Sequence, residues 1–239
     1  MRMDFAASLK NTKLYFLSFM LLWFSGCLYM LFSGMPAGAF PLSGKWPFLV
    51  NVFMINFTFM GDAVFAVCLA VCLFFYYRWK KESLVVLGAF AFSETFIQVM
   101  KNIGAPQQFP HIYFEDGQTL FYHSPDAANI YAGSVSGHTA TAFALATVLV
   151  QISKNARWQL PLLAGAILMG YSRMYLAGHL FADVLIAALP GTVSGLLSFY
   201  IVSGIVTVRE KRKLYAKPLY PDQFPKHDIK QVPGQVAAV

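Results

Sequence analysis

Six apolar runs, at residues 14–32, 60–77, 83–100, 137–153, 159–176 and 180–206, take up about half of this 239-residue chain. Each is close to the roughly 20 residues that a helix needs to cross a bilayer core. In hydrocarbon every backbone N–H and C=O must find its partner within the protein, so spanning segments of this length form helices. The pattern predicts an all-α fold, a six-transmembrane-helix bundle in a single domain over 1–207, followed by a basic, poorly ordered tail over 208–239. Charged residues make up 12% of the chain, against about 25% in soluble domains, and the mean hydropathy is +0.55. Pro190 and Gly191 fall inside the last run. Neighbouring helices can re-satisfy the carbonyl that proline frees, so a kink is expected there and not a break.

Lysine and arginine set the orientation. Arg2, Lys10 and Lys13 precede the first run; Arg78, Lys80 and Lys81 lie between the second and third; Lys154 and Arg157 lie between the fourth and fifth. Arg209, Lys211, Arg212, Lys213, Lys217, Lys226 and Lys230 follow the sixth. By the positive-inside rule this side, with both termini, is cytoplasmic. The bias accounts for the net charge of +7 and calls for no nucleic acid partner. Trp79 and Trp158 sit beside the cytoplasmic basic clusters and Trp46 near the opposite edge, as interfacial anchors do, while Trp23 reads as buried in the first run. Cys27, Cys68 and Cys72 all fall in apolar runs and read as packing residues, with no neighbouring ligands to make a metal site.

Against this background the polar residues of the opposite side stand out. They are Lys101 at the end of the third run, Ser136-Gly137-His138 at the start of the fourth, and Ser172 to Asp183 between the fifth and sixth. Topology brings all of them to the outer ends of helices, where a bundle can assemble a site. Ionisable residues at membrane depth are rare and usually face an internal cavity, which makes Arg173, His179 and Asp183 candidate functional residues. His179 and Asp183 are four apart. On one helix that spacing stacks them, letting the carboxylate hold the Nδ1 proton of the imidazole and leave Nε2 free for attack. Taken singly, each has a plainer reading: His138 as a solvated residue at a helix start, Arg173 as an interfacial anchor, Asp62 and Glu94 as structural hydrogen-bonding groups.

Together these residues resemble the type 2 phosphatidic acid phosphatase family, whose members carry a lysine seven residues before Arg-Pro, a Pro-Ser-Gly-His and a Ser-Arg-x5-His-x3-Asp. Ser172, Arg173, His179 and Asp183 complete the third block in type and spacing, and Ser136-Gly137-His138 matches the second with Val135 in place of proline. The first block is the weakest: Lys101 is present, but Gln108 occupies the arginine position and Pro110 falls one residue late.

The resemblance implies two-step, metal-independent dephosphorylation of a lipid phosphate or pyrophosphate, by an integral protein of the bacterial inner membrane whose active site faces the periplasm. Undecaprenyl pyrophosphate, phosphatidylglycerophosphate, phosphatidic acid and lipid A are the family's candidate substrates. His179 takes the role of nucleophile, forming a phosphohistidine; Asp183 orients it; His138 protonates the leaving oxygen and then activates water. Lys101, Arg173, Ser136, Gly137 and Gln108 take the phosphate-binding positions, with the start of a helix at Ser136 or Gly137 adding its positive end. No cofactor and no metal is implied; the expected partners are the bilayer and a phosphorylated lipid, with no signal for oligomeric state. Gln108 lacks the charge and the two-pronged geometry of arginine, which opens the alternative of a weakened member that binds phosphorylated lipid. A proton-coupled transporter is the other alternative, but it predicts ionisable residues near the midplane and repeat symmetry, and this chain has its ionisable residues at one face.

Overall fold

In the computed structural model the described residues are 5–32, 47–103, 135–153, 155–176 and 179–215, with side chains as far as 208. Among them are eight α-helices: α1 (Phe5–Asn11), α2 (Lys13–Phe32), α3 (Phe48–Phe57), α4 (Ala63–Phe75), α5 (Lys80–Ile103), α6 (Gly137–Ser153), α7 (Gln159–Tyr175) and α8 (Phe181–Tyr215). Helices α2, α6 and α7 coincide with the apolar runs at 14–32, 137–153 and 159–176 to within one residue. By length and composition α2, α5 and α8 can each cross a membrane. Large apolar side chains such as Leu17, Leu31, Phe32, Phe75 and Tyr200 stand exposed on the outside. A surface of that kind has hydrocarbon as its solvent, and the protein is an integral membrane protein.

The second run departs from expectation. It is not one helix from 60 to 77 but the end of a bent pair, α3 and α4, which meet at 63° across a 3-10 turn, Thr58–Gly61. Only together do α3 and α4 match the length of a span. The reason is local. Asp62 adopts an extended backbone (φ −85°, ψ 155°) that ends one helix and starts the next. Beyond α4 the chain reverses through Arg78, in the left-handed region at φ 55°. There the Trp79 N–H donates to the Leu73 carbonyl (2.8 Å).

Helix α6 is the axis of the bundle. Nearly every residue from Thr139 to Ile152 is buried, and its side chains enter each of the three apolar clusters. One side meets Val85, Val86 and Ala89 of α5 with Ala66, Ala70 and Leu73 of α4. The other meets Tyr15 and Phe19 of α2 with Leu163 and Ala166 of α7. Helix α8 lies closest, because Gly191 and Gly195 are one turn apart on its inner face. An added Cβ at Gly191 would lie 2.3 Å from the Ala140 carbonyl oxygen, and one at Gly195 would lie 2.7 Å from that of Ala144. Small residues at this spacing let two membrane helices touch backbone to backbone. Helix α8 runs unbroken through Pro190 and on to Tyr215, so the first part of the expected tail is helical.

Polar contacts fix the outer helices to this axis. The Tyr15 N–H donates to Gln159 Oε1 (2.9 Å), and Gln159 Nε2 donates to the Asn11 carbonyl (2.8 Å). Trp23 is not simply buried, since its indole N–H donates to the Leu185 carbonyl (2.9 Å) and ties α2 to α8. Cys68 and Cys72 are exposed on α4 and not packed in the core, a correction to their reading as packing residues. Apolar surroundings outside the bundle accept a thiol as readily as the core does.

Candidate active site

The start of α6 is built by Ser136, which is fully buried at the N-cap position. Its Oγ accepts from the Thr139 N–H (3.3 Å) and from the Thr139 hydroxyl (2.9 Å). Such a cap satisfies one of the donors that every helix start leaves over and aligns the first turn. His138 is in that turn, next to Gly137, and the Ser136 N–H reaches across to the Asp183 carbonyl (3.4 Å). The second and third sequence blocks are thus joined through the backbone.

His179 and Asp183 come together, though not as two residues of one helix. Helix α8 begins at Phe181, so His179 precedes it. Asp183 Oδ2 accepts from the Leu180 N–H (3.1 Å) and lies 3.6 Å from His179 Nδ1. A carboxylate at the third helical position that reaches back to the N-cap N–H is half of a capping box. That cap folds the residue before the helix over the carboxylate, which is why a spacing of four pairs them outside a helix. Both side chains keep some exposure, 16% for His179 and 13% for Asp183, leaving the imidazole reachable.

Arg173 enters from the last turn of α7. Its Nη1 donates to Thr58 Oγ1 (3.1 Å), while its Nε is buried with no hydrogen-bond partner among the described residues. Ser172 turns away, donating to the Met169 carbonyl (2.7 Å). Lys101, in the last turn of α5, is exposed. Glu94 accepts from the Thr141 hydroxyl (3.1 Å) and lies under the start of α6, where an added Cβ on Gly137 would be 3.4 Å from its Oε1. This is the structural hydrogen bond expected of it. Gln108, with its loop, lies outside the described residues.

Sequence reasoning missed Thr58 and set Asp62 aside as structural. Asp62 makes no side-chain hydrogen bond to the start of α4. The turn before it is seated on the site: a Cβ added to Gly61 would lie 2.6 Å from the His138 carbonyl oxygen. A short Thr-x-x-Gly-Asp between two apolar runs was the available signal, and hydropathy averaging passes over it.

The model of the PAP2 superfamily matches residues 82–206, more than half of the chain. The chain belongs to the PAP2 superfamily. The PAP2 match takes in Lys101, Ser136, Gly137, His138, Arg173, His179 and Asp183, and it leaves α1 to α4, with Thr58 and Asp62, outside. The crystal structure of Aquifex aeolicus LpxE is similar, with a TM-score of 0.53 and 26% identity over 66% of this chain and 90% of that one. No curated protein sequence matches. Among the described residues of this PAP2 protein, no group of three or more His, Cys, Asp or Glu side chains is placed to hold a metal ion.

Proposed function

We propose that this PAP2 protein removes phosphate from a phosphorylated membrane lipid by way of a phosphohistidine on His179. The observation that carries the reading is the joint between α6 and α8, where the Ser136 N–H meets the Asp183 carbonyl and sets the His138 turn beside the His179–Asp183 pair. In the first step the Nε2 lone pair of His179 attacks phosphorus, Asp183 holds Nδ1–H and stabilises the imidazolium, and His138 gives its proton to the departing oxygen. In the second step His138 takes a proton from water, the new oxygen bonds to phosphorus, and the histidine nitrogen leaves. Membership of the PAP2 superfamily and the likeness to LpxE support the lipid phosphatase class.

Arg173 and Lys101 supply positive charge for the phosphoryl oxygens. The first N–H groups of α6, aligned by the Ser136 cap and including those of Gly137 and His138, add donors there. Gln108 supplies a neutral donor at the remaining position. These groups do the work of a divalent ion, so turnover without metal is part of the proposal. Six crossings are proposed as well: α6 and α7, at 17 residues each, are about 25 Å long, within reach of a bilayer core. With both termini cytoplasmic, the site faces the outer side, which in a bacterial inner membrane is the periplasm. Its substrate is a lipid monophosphate or pyrophosphate of the phosphatidic acid, phosphatidylglycerophosphate, undecaprenyl pyrophosphate or lipid A class, and an acceptor other than water in the second step would make the same chemistry a phosphotransfer.

The test is to quench the purified protein during turnover of a 32P-labelled lipid phosphate in EDTA. Acid-labile, base-stable label on His179 is expected. Label on another residue type would overturn the mechanism.

A further inference from the structure

We infer that the Thr58–Gly61 turn between α3 and α4 is a positioning element of the site: Thr58 fixes the guanidinium of Arg173 so that one edge of it is held ready for a phosphoryl group. The inference rests on the phosphate-binding reading above and extends it to a part of the chain that the PAP2 match does not reach.

The geometry of the guanidinium carries it. Arg173 has five N–H donors in a planar fork, and its Nε–H and one Nη2–H point the same way, forming the edge that matches two phosphoryl oxygens. Thr58 takes the other end. Its buried Oγ1 accepts from Nη1 at 3.1 Å, which leaves the Nε–Nη2 edge turned away from Thr58. The Nε donor on that edge is buried without a partner among the described residues. A buried unpaired donor is costly and seldom retained without a use. A guanidinium held at one corner binds an anion with less of its rotational freedom left to lose.

Thr58 itself is held in place. It opens the 3-10 turn, and that turn lies close against the site, since a Cβ added to Gly61 would lie 2.6 Å from the His138 carbonyl oxygen and 2.2 Å from the Met169 methyl carbon. The turn therefore relates Arg173 of α7 to His138 of α6.

The experiment uses the full chain in detergent and measures its thermal stabilisation by inorganic phosphate, beside kcat and KM on a lipid phosphate. Thr58→Val keeps the shape and removes the acceptor. It is expected to weaken phosphate binding about tenfold and to raise KM more than it lowers kcat, with Thr58→Ser within about twofold of wild type. Phosphate binding by Thr58→Val equal to wild type, or a Thr58→Ser variant as weak as Thr58→Val, overturns the inference. If Thr58→Val does not fold, Thr58→Ala against Thr58→Ser gives the same comparison. If wild type hydrolyses no lipid yet binds phosphate in this Thr58-dependent way, the inference stands and the hydrolytic reading fails. If wild type does not bind phosphate, the inference falls whatever the activity.

Discussion

Replacing Gly191 by alanine should lower catalysis by about 10²-fold while the fold survives, since the net stability cost stays at or below about 3 kcal/mol. The new Cβ would lie 2.3 Å from the Ala140 carbonyl oxygen, 2.8 Å from its Cα and 2.9 Å from its carbonyl carbon. All three are backbone atoms inside a buried helix, so no rotamer change relieves the contact. A carbon sits about 3.3 Å from a carbonyl oxygen at closest comfort, so α8 must move away from α6 by about 1 Å. Ala140 is two residues past His138, and Gly191 is about 12 Å along α8 from Asp183. The shift therefore opens the gap between His138, the proposed acid, and the His179–Asp183 pair. A misplacement of about 1 Å can lower a rate by about 10²-fold. Overpacking costs about 1–3 kcal/mol, and alanine's better helix propensity returns up to about 1 kcal/mol of that. Phosphate release and thermal unfolding in detergent should be measured beside Gly165→Ala and Gly204→Ala, whose added Cβ atoms would meet nothing within 4 Å. The controls should match wild type. Activity of Gly191→Ala within about twofold of wild type would refute the claim that the α6–α8 contact sets the site.

Other substitutions separate further parts of the account. Ser136→Ala removes the cap of α6 and should lower stability by about 1 kcal/mol; with the first-turn N–H groups less well aligned, KM for the lipid phosphate should rise in steady-state assays. Gln108→Arg introduces a charged fork at the position proposed to bind phosphate, where the family motif has arginine, and should raise kcat/KM by about tenfold or more, from roughly 1.5–3 kcal/mol of charge-assisted bonding. An unchanged or lower kcat/KM would mean that Gln108 does not face the phosphoryl group. Trp23→Phe deletes the indole donor to Leu185 and should lower the midpoint of thermal unfolding with little effect on KM.

Length of apolar run was enough to find α2, α6 and α7, because a helix that must satisfy its own backbone in lipid ends where the apolar residues end. The third block was readable by spacing alone, yet the reason its residues meet was not. His179 and Asp183 look like helix neighbours in sequence, and the pairing in fact comes from Asp183 capping a helix that starts after His179. The α3–α4 break was hidden because Thr58, Gly61 and Asp62 are few among strongly apolar neighbours. The use of Thr58 depends on Arg173, 115 positions away, which no local pattern reveals. The closeness of α8 to α6 could have been suspected from Gly191 and Gly195 four apart, a spacing that permits backbone contact, although Ala140 and Ala144 as the surfaces they meet could not.

The most direct test of the central claim is phosphate release by the purified protein in EDTA, across long-chain lipid phosphates and pyrophosphates, with His179→Ala measured beside wild type at equal folded concentration. The account predicts release by wild type from at least one of these lipids and none above background from His179→Ala. Release by His179→Ala at the wild-type rate would contradict it, since the attacking nitrogen would then lie elsewhere.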